Sequence, residues 1–302
     1  MLTRRQTMQV IAAALASTTL PVYSGELPLI TRAIPSSGER LPVIGLGTSR
    51  TFDTAGDAKT INTLTDIMNA FFSNQGSIID SSPMYGEAES RVGDVLRSMS
   101  QQPKIFAATK VWTTGKEQGI AQMEESARRM NVTRFDLIAV HNLKDWKTQL
   151  ETLYQWKEEG KVRYIGITTS HGRNHAEFLE VMKTQAIDFA QFSYNIDDRS
   201  AEQQLLPMAQ EQGIATMINR PYQRGSLFKK SKGEALPAMA ADIDCDSWGQ
   251  FYLKFIVSHP AVTCVIPATS KLHHMQDNMM ANFGRLPTAD QRTEMLKLFE
   301  AL

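Results

Sequence analysis

Eight short apolar runs, most of them followed by a stretch of helical periodicity, constrain this 302-residue chain more than any other feature. The first run closes R-L-P-V-I-G-L-G-T at Thr48, and the others cover residues 77–80, 105–109, 135–140, 164–168, 189–192, 214–218 and 262–266. Between them, apolar residues recur at three- and four-residue spacing. Ile61, Leu64, Ile67, Met68 and Phe71 do so within 58–72, and Val92, Val95 and Leu96 within 88–99. Further helices are expected over 118–130, 146–159, 175–184, 202–212 and 248–258, with Gly160 and Gly213 stopping two of them. Eight strands in strict alternation with helices predict an α/β fold, a closed parallel (β/α)8 TIM barrel.

Outside that repeat, L-I-T-R-A-I, a polar S-S-G-E turn and the following apolar run read as an N-terminal β-hairpin leading into the first barrel strand. Gly45, Gly47 and Thr48 end that strand with little bulk, which lets a ligand approach the backbone. Residues 220–246 form a longer insertion between the seventh strand and its helix, and its K-K-S-K run is expected to be a solvated loop. A helix over 288–302 closes the sequence, reached by the short A-N-F-G-R-L-P link, which points to an open pocket.

The formal net charge is zero and no basic patch stands out, which argues against a nucleic-acid partner. Two cysteines, Cys245 and Cys264, supply neither a disulfide framework nor a zinc site. They read as two buried thiols, with a single bridge left open if the protein is exported.

Export is the expectation for the amino terminus. T-R-R-Q-T-M-Q at 3–9, the apolar V-I-A-A-A-L-A and Pro21 follow the order of a signal peptide, and the apolar core is too short for a stable membrane span. The paired arginines resemble a twin-arginine signal, although Thr7 and Met8 stand where that pattern has Phe and Leu. This divides the chain into a signal peptide at 1–27 and a barrel at 28–302, with export machinery as a partner and a periplasmic or other exported location. A general secretory signal and a disordered tail remain alternatives, the latter leaving the protein in the cytoplasm. Cleavage falls near Ala16 or near Ser24.

In parallel barrels chemistry sits at the carboxyl ends of the strands. Asp80, Lys110 and His141 fall at such ends, from strands two, three and four, and Tyr85 follows in the second loop. A phenol is a poor acid at neutral pH unless a cation stabilises its anion, and Lys110 supplies one.

The stretch I-I-D-S-S-P-M-Y-G-E-A-E-S-R, the Lys110 that closes I-F-A-A-T-K and the His141 that ends D-L-I-A-V-H resemble, in order, the catalytic segments of the aldo-keto reductases. The similarity runs from about Ile30 to Leu302. It implies reduction of an aldehyde or ketone by hydride transfer from NADPH, with NADH also possible, in a monomer. Tyr85 would be the general acid and Lys110 would lower its pKa. Asp80 would hold Lys110 charged and in place, and His141 would orient the carbonyl. Trp112, in the family's K-x-W position, and Met84 would wall a pocket for a small carbonyl substrate.

The same resemblance assigns the cofactor residues. I-P-A-T-S-K-L-H-H-M-Q-D-N, from Ile266 to Asn278, is similar to the segment that grips the adenosine phosphate and adenine. Thr269, His274, Asp277 and Asn278 fall on its ligands. Ala268 replaces its Lys, with Lys271 close enough in sequence to compensate. Gln191 would bind the nicotinamide carboxamide beside Thr168 and Thr169. Asn219 stands where the family carries a ring-stacking aromatic, leaving Tyr222 or Arg220 to cover the ring, and Y-Q-R-G-S-L, from Tyr222 to Leu227, would form the pyrophosphate loop, with Gly225 letting the backbone approach. An alternative keeps the rim but makes the barrel a ligand-binding or regulatory module, catalytically slow or silent. Its motivation is the altered Ala268 and Asn219, and the lack of an obvious supply of reduced nicotinamide outside the cytoplasm.

Overall fold

The computed structural model describes residues 27–100, 103–170 and 172–302, so the expected signal peptide lies almost wholly outside the described residues. A hairpin of β1 (Thr31–Ala33) and β2 (Arg40–Pro42) comes first, paired antiparallel. Eight parallel strands follow, neighbouring one another in chain order: β3 (Leu46–Gly47), β4 (Ile78–Asp80), β5 (Phe106–Val111), β6 (Phe135–His141), β7 (Val162–Thr168), β8 (Phe189–Ser193), β9 (Ala215–Asn219) and β10 (Cys264–Val265). The sheet closes on itself. Gly45 N–H donates to Val265 O at 2.8 Å, Val265 N–H to Val43 O at 2.9 Å and Gly47 N–H to Pro267 O at 3.0 Å. At this seam Gly47 is needed for the barrel itself, because a Cβ there would lie 2.7 Å from the Ile266 carbonyl oxygen.

The helices are α1 (Ala58–Ser73), α2 (Ala88–Ser98), α3 (Lys116–Met130), α4 (Trp146–Glu158), α5 (His175–Thr184), α6 (Leu205–Gln212), α7 (Ser226–Lys230), α8 (Trp248–Val257), α9 (Leu272–Met280) and α10 (Ala289–Glu300). Local chemistry sets several of their ends. Asp57 caps α1 by accepting from Thr60 N–H, and Thr288 with Gln291 forms a capping box on α10. The expected helix over 202–212 begins only at Leu205, after a 3-10 turn at Ser200–Glu202. Pro207 explains the late start, since a proline is tolerated only in the first turn of a helix. No helix among the described residues is long and apolar enough to cross a membrane.

Two apolar layers hold the barrel. Leu64, Ile67, Met68 and Phe71 of α1, with their counterparts on the other helices, bury against the outward side chains of the strands. Inside, Ile78, Phe106, Leu137, Phe189, Met217 and Cys264 form a second cluster with Ile34 and Leu41 of the hairpin. The hairpin therefore plugs the amino-terminal mouth. Phe106, Tyr164 and Phe189 pack there with ring centroids 5.7–5.9 Å apart, and the Tyr164 hydroxyl bonds Glu39 and Ser37 at 2.7 and 2.8 Å. Cys245 and Cys264 are both free and buried, so no bridge joins them.

The three lysines of the K-K-S-K run are exposed, as expected, but the 220–246 insertion is not all loop. It contains 3-10 turns at Gln223–Gly225 and Ala238–Ile243 flanking α7. Lys230, from the K-K-S-K run, donates to Phe299 O at 3.2 Å and sits 4.0 Å from the Phe299 ring centroid, docking the insertion on α10.

Candidate active site

Side chains alternate along a strand, so the parity that buries Ile78, Phe106, Leu137, Phe189 and Met217 inside the barrel also turns Asp80, Lys110, His141, Gln191 and Asn219 inward, nearer the carboxyl mouth. Apolar residues fill the bottom of the bore and polar ones its top. A cavity of about 980 Å3 opens above them, room for a ligand larger than a small carbonyl compound.

Lys110 is the centre of the polar layer. Its ammonium is wholly buried and donates to Asp80 Oδ1 at 2.8 Å, to Asp80 Oδ2 at 2.7 Å and to Ser81 O at 2.7 Å. Burial opposes the charge, but Asp80 and Tyr85 outweigh it and hold the ammonium pKa above its ordinary value. The same Nζ lies 5.2 Å from the centroid of the half-buried Tyr85 ring. Lys110 does not line the cavity, whereas Tyr85 and Asp80 do.

The Tyr85 loop is pinned from outside. Gly86 has φ +57°, and a Cβ there would lie 2.1 Å from Asp53 Oδ1, the oxygen that accepts Glu87 N–H at 3.0 Å. Burial raises the Tyr85 pKa; Lys110 pulls it down, Asp80 pushes it up, and the sum stays above the ordinary phenol value. Lys110 thus pulls the phenol pKa down as expected, but burial outweighs it, so its charge limits a rise and does not produce a net fall. His141 stands edge-on to Tyr85, ring centroids 6.1 Å apart at 89°. Burial, with Lys110 adding to it, lowers its pKa to about 3, so the imidazole is neutral at pH 7.

Gln191 joins this cluster, donating to Asp80 Oδ1 and to Met217 Sδ, each at 3.0 Å, while its Oε1 accepts from Thr168 Oγ1 at 2.6 Å. Thr48 donates to Asp80 O at 3.0 Å. Asn219 is held by its neighbours, accepting from Ser193 Oγ at 2.7 Å and donating to Thr169 O at 2.9 Å.

The far end of the cavity is bounded by Ile266, Ala268, Thr269, His274, Asp277 and Asn278, and by Tyr222 and Gly225 of the insertion. Asn278 accepts the Tyr222 hydroxyl at 2.7 Å, and Asp277 accepts from Ser247 Oγ at 2.8 Å and Gln250 Nε2 at 2.7 Å. Both of these polar side chains are therefore partly committed to the protein. His274 is exposed, with a pKa lowered first by burial of the ring nitrogens and then by His273 and Lys271.

Besides Lys110, three expected residues stand apart from the cavity lining. Met84 follows Pro83 on the outside of the turn and is 41% exposed. Trp112 lies past the end of β5, its N–H donating to Gln122 of α3 at 2.6 Å and its ring facing the Lys144 ammonium at 4.8 Å. Lys271 precedes the first turn of α9 with its side chain in solvent. The cations that do line the cavity are Arg50, Arg220 and Arg224, and Phe228 and Trp248 join Tyr222 as aromatic lining. Of these five, the sequence pointed to Arg220 by name and to Arg224 within the pyrophosphate segment 222–227. Arg50 sits directly behind the Thr48 strand end and Arg224 in the 3-10 turn beside Gly225, whereas Phe228 belongs to α7 and Trp248 opens α8.

The cavity at the carboxyl mouth and its Asp, Tyr, Lys and His cluster can be set beside known proteins. Residues 43–294 match the model of the Aldo/keto reductase family. Methylglyoxal reductase YeaE of Escherichia coli is 28% identical over 259 residues, covering 82% of this chain and 88% of that protein. Aldo-keto reductase str7 of Strobilurus tenacellus is 26% identical over 262 residues, covering 73% and 76%. Among solved structures, an aldo-keto reductase from Klebsiella pneumoniae in complex with NADPH superposes with a TM-score of 0.72 at 21% identity, covering 90% of this chain and 96% of that one. The holo form of an aldo-keto reductase from Bacillus halodurans gives 0.70 at 22% identity, covering 90% and 96%. With most of its length inside the family model and its barrel shared with these structures, the chain is an oxidoreductase and belongs to the aldo/keto reductase family.

Proposed function

We propose that the protein reduces an aldehyde or ketone to an alcohol with a reduced nicotinamide dinucleotide, Tyr85 delivering the proton. The observation that carries this reading is the buried Lys110, triply hydrogen-bonded beneath Tyr85 and beside a neutral His141. The nicotinamide supplies a hydride to the carbonyl carbon when bound. As the oxygen becomes an alkoxide it needs a proton, and Tyr85, protonated at neutral pH, gives it. Lys110 then stabilises the phenolate at the moment it forms, and Asp80 keeps Lys110 charged and still. His141 donates a hydrogen bond to the carbonyl oxygen. Its lowered pKa keeps a second positive charge out of the site.

The dinucleotide fits the cavity by size and chemistry. Arg50, Arg220 and Arg224 suit its diphosphate, Tyr222, Phe228 and Trp248 suit an aromatic base, and Thr168 and Gln191 sit at the reacting end. The NADPH present in the Klebsiella pneumoniae relative supports the choice. Methylglyoxal, from the name of the Escherichia coli relative, is a first aldehyde to assay. Trp248 lines the cavity, so its fluorescence should be quenched by NADPH or NADH, and Trp248→Phe should lose that response. Folded protein that binds neither nucleotide sinks the proposal.

Export through an amino-terminal signal is the remaining part of the proposal, on the order of residues 3–24. Cell fractionation and sequencing of the mature amino terminus test it, and an intact Met1 on cytoplasmic protein overturns it.

A further inference from the structure

Ser82 and His141 make a contact that the proposed chemistry leaves unused. The Ser82 side chain is fully buried, and its Oγ lies 3.2 Å from His141 Nδ1. The same oxygen accepts the Met84 backbone N–H at 3.3 Å. A serine hydroxyl has one proton to donate and two lone pairs with which to accept. Met84 occupies an acceptor position, and among the described residues Nδ1 is the acceptor within reach of the hydroxyl proton. The reverse arrangement, Nδ1–H donating to Ser82, would leave the hydroxyl proton buried and without a partner, which folded proteins avoid.

The consequence lies in the ring's other nitrogen. A neutral imidazole carries a single N–H, and the hydrogen bond at one nitrogen decides which of the two holds it. We infer that Ser82 is a positioning residue that donates to His141 Nδ1, fixing the imidazole as the Nε2–H tautomer so that its one donor faces the cavity. The ring is then held from two sides, by Ser82 at Nδ1 and by Tyr85 standing perpendicular to it. Ser82 and Tyr85 belong to the same loop, so one segment sets both the proton donor and the orientation of the hydrogen-bond donor. The tautomer assignment stands on geometry alone, whereas its catalytic consequence rests on the carbonyl-reductase reading above.

Long-range proton–nitrogen correlation spectra of the full chain, labelled with 15N-histidine at pH 7, read the tautomer directly, with His141 identified by its absence from His141→Gln. The wild-type protein should show the Nε2–H pattern. Ser82→Ala should show a mixture of tautomers and a kcat for carbonyl reduction lower by about tenfold, the worth of one neutral hydrogen bond. Its nucleotide affinity should be unchanged, and Ser82→Thr, which keeps the hydroxyl, should restore both tautomer and kcat. An Nδ1–H pattern in the wild type, or an unaltered Nε2–H population in Ser82→Ala, overturns the inference. A protein that reduces no carbonyl yet loses the Nε2–H pattern in Ser82→Ala rejects the reductase reading and upholds the role of Ser82.

Discussion

Lys110 Nζ is bound by both carboxylate oxygens of Asp80, at 2.8 and 2.7 Å, in a position with no solvent exposure. A buried pair of this kind is costly to build and more costly to break, because removing one partner strands the other charge. Lys110→Met should therefore lower stability by roughly 3–5 kcal/mol. The double variant Lys110→Met, Asp80→Leu should recover more than half of that loss. Urea unfolding at a constant m-value measures both, and a double variant as unstable as the sum of the singles contradicts the account.

Tyr85→Phe keeps the ring over Lys110 and removes only the proton it would donate. Carbonyl reduction should fall by at least about 10²-fold, within the range for loss of a general acid, with the nucleotide dissociation constant unchanged. Stopped assays of nucleotide oxidation and a fluorescence titration separate the two. Turnover equal to wild type would remove Tyr85 from the mechanism.

The pH dependence should be flat across neutrality. His141, at about 3, does not titrate between pH 5 and 8, and burial holds Tyr85 above 10.0, so reduction should decline only on the alkaline side as the phenol loses its proton. A kcat profile with a break near pH 6.5 would show that His141 is the titrating group and defeat this prediction.

Stability has its own pH signature. The folded protein holds His141 below its ordinary value of 6.5, so the unfolded chain takes up the proton first as acid is added. The contribution of a neutral His141 is complete above pH 6.5 and is lost progressively as pH falls toward about 3. Thermal scans of wild type and His141→Gln should converge on the acid side of that window. Parallel curves would mean that His141 is not the group responsible.

Arg292 joins α10 to the barrel, donating to Phe255 O, to Ser258 Oγ at 2.7 Å, to the buried Tyr194 hydroxyl at 2.8 Å and to Glu202 at 3.1 Å. Arg292→Ala should cost about 2–3 kcal/mol, the loss of several bonds to groups left partly buried. Urea unfolding reads the loss, and limited proteolysis should cut first near α10. Wild-type resistance in both would show that apolar packing alone anchors the helix.

Much of this architecture was present in the order of residues. Alternation of apolar runs with helical periodicity marked the eight strands, because a strand buried on both faces has no other way to be written. The inward parity of Asp80, Lys110, His141 and Gln191 follows from the two-residue repeat that also places Ile78, Phe106 and Phe189 inside. Each of those positions is fixed by local geometry and by the neighbouring strand, so the sequence carried them. The late start of α6 lay there too, in Pro207.

Only closure of the barrel decided the rest. Lys110 and Asp80 are 30 residues apart, and the bond between them exists because β4 and β5 lie side by side with Asp80 opposite Ala108. Whether burial or Lys110 governs the Tyr85 phenol depends on how much solvent the folded rim excludes, which no spacing records. Trp112, Met84 and Lys271 are near the site in sequence yet do not line the cavity, while Arg50 and Arg224 reach it from connections between elements and Phe228 and Trp248 from α7 and the start of α8. Strands impose direction on their side chains through the pleat, whereas loops receive theirs from whatever the closed barrel leaves for them to pack against.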